Sequence, residues 1–287
     1  MGLRRFFSLL CVLLLGGCEI FEPTVKVPAY LEVSGYSFKA DELTEGTSSE
    51  NITTCYVYLN NSQLGVFKYP IEIPLLAEGK NNLQIFAGIN NNGLSATKEI
   101  YPFYSAYQND TSFYLERGET FKVTPSFKYK PSTKFVWIED FERSSISLES
   151  TTSSASKIDI IQFDIFEGFQ SGKVSVDFTN PYTEILSDEK FKLERNGLKV
   201  YLELNFKGSQ AFTIELWSNN VDGSIYKDNI LGLIPVQDRW KKIYIELTEY
   251  VNRNTQAETY QIAFICNPTT ISESTYFNID NIKLLAF

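Results

Sequence analysis

Histidine is absent from this 287-residue sequence, so any chemistry falls to carboxylates, lysines, tyrosines and backbone. Without imidazole there can be no Ser-His-Asp or Cys-His triad, no His-ligated zinc and no imidazole acid–base catalysis. The most suggestive constellation lies in residues 199–217. Val200, Leu202, Leu204 and Phe206 alternate with polar or aromatic residues, as do Phe212, Ile214 and Leu216. Gly208-Ser209-Gln210 between them reads as a turn. Pairing inward residues with inward residues predicts a hairpin with Phe206 opposite Phe212, Leu204 opposite Ile214 and Leu202 opposite Leu216. Its outward face would set Tyr201 beside Trp217 and Glu203 beside Glu215. Like charges directly across a sheet cost roughly a few tenths of a kcal/mol or more, which needs a reason. A ring for stacking and carboxylates accepting from hydroxyls would supply one, in a glycan cleft or a protein contact face. The plainer reading is that another part of the chain covers this face, or that water does, because exposed aromatics are common on β-faces. Two facing carboxylates could also serve a glycoside hydrolase, where their spacing sets the mechanism. Neither glutamate sits in a catalytic motif, and no enzyme is expected.

The four cysteines have separate fates. Arg4 and Arg5 precede an apolar run from Phe6 to Leu15, and Gly16-Gly17-Cys18 follows. About ten apolar residues are too few to span a bilayer, which takes ~20. The run has the pattern of a bacterial lipoprotein signal peptide, cleaved before Cys18, which then carries covalent lipid such as palmitate. Loss of Arg4 and Arg5 moves the net charge from −9 to −11. That argues against nucleic acid and against polybasic docking on anionic lipid. Cys11 leaves with the signal. Cys55 shares its parity with Val57 and Leu59, and Cys266 with Ile262 and Phe264, so both are expected as buried free thiols in two different cores. The acidic Glu19 and Glu22 after Cys18 are similar to the export signal of Bacteroidota surface lipoproteins. The implied location is the outer membrane, with neither face selected.

The elements that must position these residues are strands. Short segments rich in Val, Ile, Tyr and Phe alternate with Asn, Gly, Ser and Pro, and helical periodicity is nearly missing, which predicts an all-β chain. Residues 1–17 are read as the signal peptide, 18–27 as a tether, 28–106 as a first β-sandwich, 107–131 as a connecting β-hairpin that could belong to either domain and 132–287 as a second sandwich. In the first, Val57-Tyr58-Leu59-Asn60-Asn61-Ser62 reads as a hairpin, followed by Ile71-Glu72-Ile73-Pro74 and Gly79 to Ala87. About fifty residues here resemble the PEGA domain, a small immunoglobulin-like sandwich of envelope proteins. Asn60-Asn61 replaces its usual Asp-Gly, and Asn82 its histidine. In the second, Phe141-Glu142, Trp240-Lys241-Lys242-Ile243-Tyr244-Ile245-Glu246-Leu247 and Tyr276-Phe277-Asn278-Ile279-Asp280-Asn281-Ile282 resemble the galactose-binding-like jelly roll of carbohydrate-binding modules.

That resemblance implies a structural Ca²⁺ joining first and last strands through Glu142 and Asp280, with Glu139 and Asp140 nearby; oxygen-only ligation suits calcium. The alternative is an internal hydrogen bond for Asp280. Trp137 and Trp240, with apolar neighbours, are expected in the core. The expected function is a non-catalytic, lipid-anchored scaffold subunit that binds outer-membrane proteins of a transport, secretion or barrel-assembly complex. The alternative is a surface glycan-binding lipoprotein using the jelly-roll face.

Overall fold

A computed structural model of the chain describes residues 27–108, 112–268 and 273–287. The expected signal peptide, nearly all of the tether and the lipidated Cys18 lie outside the described residues. The chain is all-β, with one short helix, Thr248–Arg253, among the described elements.

The first set of strands forms two facing sheets. Ala29–Val33 pairs with Ile71–Leu75 antiparallel and with Thr120–Val123 in parallel. Across the core lie Ser62–Phe67, Thr54–Leu59, Leu83–Asn90 and Lys98–Ile100, with Tyr107–Gln108 added against Leu83–Asn90. Alternate residues such as Leu31, Val33, Val57, Leu83 and Ile85 are fully buried between the sheets. The hairpin over Thr54–Leu59 and Ser62–Phe67 turns at Asn60 and Asn61, with φ of 51° and 66°. Positive φ at both central positions matches the right-handed twist of the strands, and asparagine tolerates it. The Asn60 side chain then ties the turn down, donating to Asn81 Oδ1 and accepting from Asn82 N, each at 2.8 Å.

Residues 107–131 do not form the expected hairpin. Phe113–Leu115 pairs with Gly79–Asn81, whereas Thr120–Val123 pairs with Ala29–Val33 and Ser126–Phe127 with Ser37–Phe38. Phe113, Leu115 and Phe127 are buried in the first core, and that burial draws the segment into the first sandwich. Strand partners change between Phe127 and Lys134.

From Lys134 onward the strands make a β-jelly roll. One sheet runs Ile158–Ile161, Ser171–Val176, Thr275–Ala286, Val200–Gly208, Lys241–Glu246, with Lys134–Glu139 also on Thr275–Ala286. The other runs Leu148–Ser150, Thr183–Ser187, Ala257–Cys266, Phe212–Asn220, Ile225–Leu233. The predicted inward residues from Val200 to Leu216 all enter the core between these sheets. Their predicted pairing does not occur. Val200–Gly208 lies between Thr275–Ala286 and Lys241–Glu246, while Phe212–Asn220 lies between Ala257–Cys266 and Ile225–Leu233. The chain arches from one sheet to the other at Gly208, where φ is 146° and an added Cβ would sit 2.4 Å from the Tyr276 carbonyl oxygen. Phe206 and Phe212 therefore meet edge-to-face across the core, with centroids 6.1 Å apart.

The first sandwich sits on the outer face of the sheet that holds Val200–Gly208. Tyr201, Tyr244 and Leu285 belong to the first domain's core cluster although their strands belong to the second domain. Cys55 lies in this cluster and Cys266 in the jelly-roll core; both are free thiols. Burial pushes Cys55 up to about 12 and Cys266 to about 11, so neither is a nucleophile at neutral pH.

Candidate functional site

Many outward side chains of Val200–Gly208, Lys241–Glu246 and Thr275–Ala286 are polar, and those around Glu203 are buried against the first domain. Glu203 is 0% exposed. Its carboxylate accepts from Tyr101 Oη at 2.5 Å and Tyr129 Oη at 3.0 Å, and pairs with Lys242 Nζ at 2.8 Å. Burial alone would raise its pKa, but Lys242, Lys283 and the Tyr101 hydroxyl together hold it below the usual carboxylate range. Lys283, also buried, donates to the Thr47 carbonyl at 2.6 Å. Burial first, and the Lys242 ammonium second, push Lys283 down to about 7 against the pull of Glu203. Buried without a carboxylate of its own in direct contact, Lys283 has its charged form disfavoured. Around this centre Tyr104 and Tyr244 share a hydroxyl contact at 3.1 Å, Ser49 Oγ donates to Asn205 Oδ1 at 2.7 Å, and Asn91 Nδ2 donates to Glu246 at 3.0 Å.

This seam separates the four residues expected on one ligand face. Tyr201, 0% exposed, donates to Glu99 of the first domain, and Glu203 is sealed as described. Glu215 and Trp217 stand on the outer face of the opposite sheet, so the paired carboxylates of a hydrolase are not assembled. The cause is the arch at Gly208: alternation set the inward faces, but the two strands joined different sheets. Trp217 is 5% exposed. Its Nε1 donates to Glu215 at 2.9 Å, Lys227 Nζ roofs the ring 3.5 Å from its centroid, and Lys227 also pairs with Glu184 at 3.3 Å. Glu184 in turn accepts from Thr151 and Tyr182 at 2.7 Å each. The indole is thus capped by its own neighbours.

An open cleft lies instead where the two sandwiches meet. It encloses about 730 Å³ and is lined by Glu50, Asn51, Asn90 and Asn92 from the first domain and by Phe166, Asn205, Arg239, Trp240, Lys241 and Lys242 from the second. That volume lies in the range of small-ligand sites. Trp240, half-buried, meets Phe166 edge-on with centroids 5.9 Å apart. Its Nε1–H is buried and has no acceptor among the described residues. Four asparagines each commit one end of the amide to the protein. Asn205, Asn90 and Asn92 accept through Oδ1 from Ser49, Thr53 and Glu246 N, and Asn51 donates through Nδ2 to the Lys242 carbonyl. Their other ends bond nothing among the described residues. Rings beside uncommitted amide donors and acceptors suit a hydroxyl-bearing ring compound. Sequence reasoning placed Trp240 in the core and missed the amides, because the asparagines that complete the site lie 35 to 189 positions away and alternation carries no trace of that meeting.

The calcium site does not fit. Asp280 Oδ1 accepts from Asn281 N at 2.8 Å and Oδ2 contacts Ser171 Oγ at 2.6 Å, while burial raises the carboxyl to about 7. Glu142 Oε1 accepts from the amides of Phe169 and Gln170 at 2.7 and 3.0 Å, and Glu139 from Phe141 N at 2.7 Å and Ser147 Oγ at 2.6 Å. The carboxylates turn to separate donors, and no three Cys, Asp or Glu side chains among the described residues converge on one point. Trp137 is in the core as expected and donates to Ser147 Oγ at 2.8 Å.

No protein-family model matches the sequence, and no curated protein matches it. Among solved structures, the chain is similar to the CBM22-1 xylan-binding domain of Paenibacillus barcinonensis Xyn10C, at 11% identity over 55% of this chain and 97% of that one, with a TM-score of 0.42. It is also similar to a xylan-binding domain of CBM family 22, at 14% identity over 54% and 97% with a TM-score of 0.40. A third is the family 11 carbohydrate-binding module of the cellulase Lic26A-Cel5E of Clostridium thermocellum, at 15% identity over 54% and 95% with a TM-score of 0.37. Likeness at this level transfers no ligand to the present chain.

Proposed function

We propose that the protein is a non-catalytic, saccharide-binding lipoprotein of the bacterial outer membrane, tethered through lipid on Cys18. Its binding site is the cleft at the seam of the two sandwiches. The observation that supports this reading most is the cleft itself, where Trp240 and Phe166 stand beside four asparagines with uncommitted amide ends. An aromatic ring takes the apolar face of a sugar, and the amides take its hydroxyls. Both domains contribute, so the pair acts as one receptor. The glycan face expected around Tyr201 and Trp217 is not this site, because the protein's own first domain covers Tyr201 and Glu203.

The test is a glycan array followed by calorimetric titration of each hit, with wild type, Trp240→Ala and Trp217→Ala compared. Trp240→Ala is expected to weaken the best hit about tenfold or more, equivalent to ~1.4 kcal/mol. Trp217→Ala should leave it unchanged. A hit that survives Trp240→Ala and is lost in Trp217→Ala would move the site to the opposite sheet.

A further inference from the structure

Four successive residues, Arg239 to Lys242, line the seam cleft, and three are cationic. Their charges are not equally available. Lys242 is buried and paired with Glu203. Arg239 and Lys241 make no ion pair among the described residues, and Arg239 is exposed at the cleft's edge. The one acid in the lining, Glu50, already accepts from Tyr36 Oη at 3.0 Å and from Ile52 N at 2.6 Å. Arg239 and Lys241 outnumber Glu50, so the lining stays net positive beside a ring, on a chain whose overall balance is −9. Concentrating cations at one concave spot of an acidic surface focuses an attractive potential for anions there. A guanidinium presents a planar fork that matches a carboxylate with two parallel hydrogen bonds.

We infer that the saccharide held in this cleft is acidic: a uronic acid unit stacks beside Trp240, with its carboxylate on Arg239 and Lys241. This rests on the saccharide-binding reading above and sharpens it to a ligand class. A sulfate ester on the sugar would offer the same anionic chemistry, so the test separates the two sources.

The probes are uronic acid oligomers (oligogalacturonate and oligoalginate), their fully methyl-esterified forms, neutral xylo-oligosaccharides and a sulfated galactan oligomer, titrated into the whole protein by calorimetry. A uronate is expected to bind at least tenfold more tightly than its ester and than the sulfated oligomer, with affinity falling as salt rises. Arg239→Gln, a surface change, should reduce the acid-to-ester ratio to within about threefold of unity while the melting temperature holds. Trp240→Ala should weaken acid and ester alike. If neutral oligomers or esters bind as well as the uronates and depend on Trp240, the acidic inference falls and the saccharide reading stands. If the sulfated oligomer binds best, the carboxylate assignment falls. An acid-to-ester ratio unmoved by Arg239→Gln overturns the role of that residue. If no probe binds, both readings fall.

Discussion

Glu203 has the most consequential environment of any single residue in the chain. Its carboxylate pairs with the buried Lys242, and two tyrosine hydroxyls close it off from water. Replacing a buried ion pair by apolar groups can be neutral, but removing one partner leaves the other charge stranded and costs about 3–5 kcal/mol. Glu203→Gln is therefore expected to lower stability by that order, read as a shifted urea midpoint. A midpoint within error of wild type would mean that Lys242 is neutral or reaches water in the native protein. Gly208 makes a second prediction at this scale. Its φ of 146° and the 2.4 Å approach of the Tyr276 carbonyl to an added Cβ leave no room for alanine. Gly208→Ala should cost about 1–3 kcal/mol in the same assay, since strained backbone of this kind carries that order of penalty.

At the scale of elements, three strands of the jelly roll carry an ionisable layer into the seam, and its pH response has a definite sign. Lys283 is at about 7 when folded, below its ordinary 10.5. Between those values the unfolded chain binds more protons, so this group makes stability rise with pH through that window. Tyr101, Tyr104, Tyr129 and Tyr244 are held well above 10 by burial, with Glu203 adding to the effect. They keep protons that the unfolded chain releases, so stability falls again above about pH 10. Asp280, raised to about 7, acts in the opposite direction between its ordinary value and 7. The melting temperature should climb from pH 7 towards pH 9.5, and Lys283→Met should flatten that climb. An equal climb in the variant would assign it to other groups.

The same elements show what could be read from sequence. Alternation identified which side chains of residues 200–216 enter a core, because parity is a local property. It did not identify the partner strand, because a hairpin and an arch between sheets share one parity. The Asn60-Asn61 turn was legible because two residues and their φ preference determine it. Residues 113–127 were misread for the converse reason: their partners, Gly79–Asn81 and Ala29–Val33, lie far back in the chain. The cleft was illegible throughout, since its rings come from the second domain and three of its four amides from the first.

At the scale of the whole molecule, the two sandwiches share a broad boundary through Tyr101, Tyr129, Tyr201, Tyr244 and Leu285. Calorimetry should show one endotherm for the described body, with no separate transition for either sandwich. Two resolved peaks would show that the boundary is too weak to couple them. This coupling bears on recognition too, because Asn51, Asn90 and Asn92 reach Trp240 only while the sandwiches are joined.

Among the described residues the backbone passes from one sandwich to the other a single time, near the exposed Pro131 and Ser132. A chain nicked there by a protease would lose one peptide link and none of the contacts among Glu203, Lys242 and the tyrosines. The two fragments should migrate as a single particle on a sizing column and come apart only in denaturant, which makes the protein a ready candidate for expression as two complementing halves.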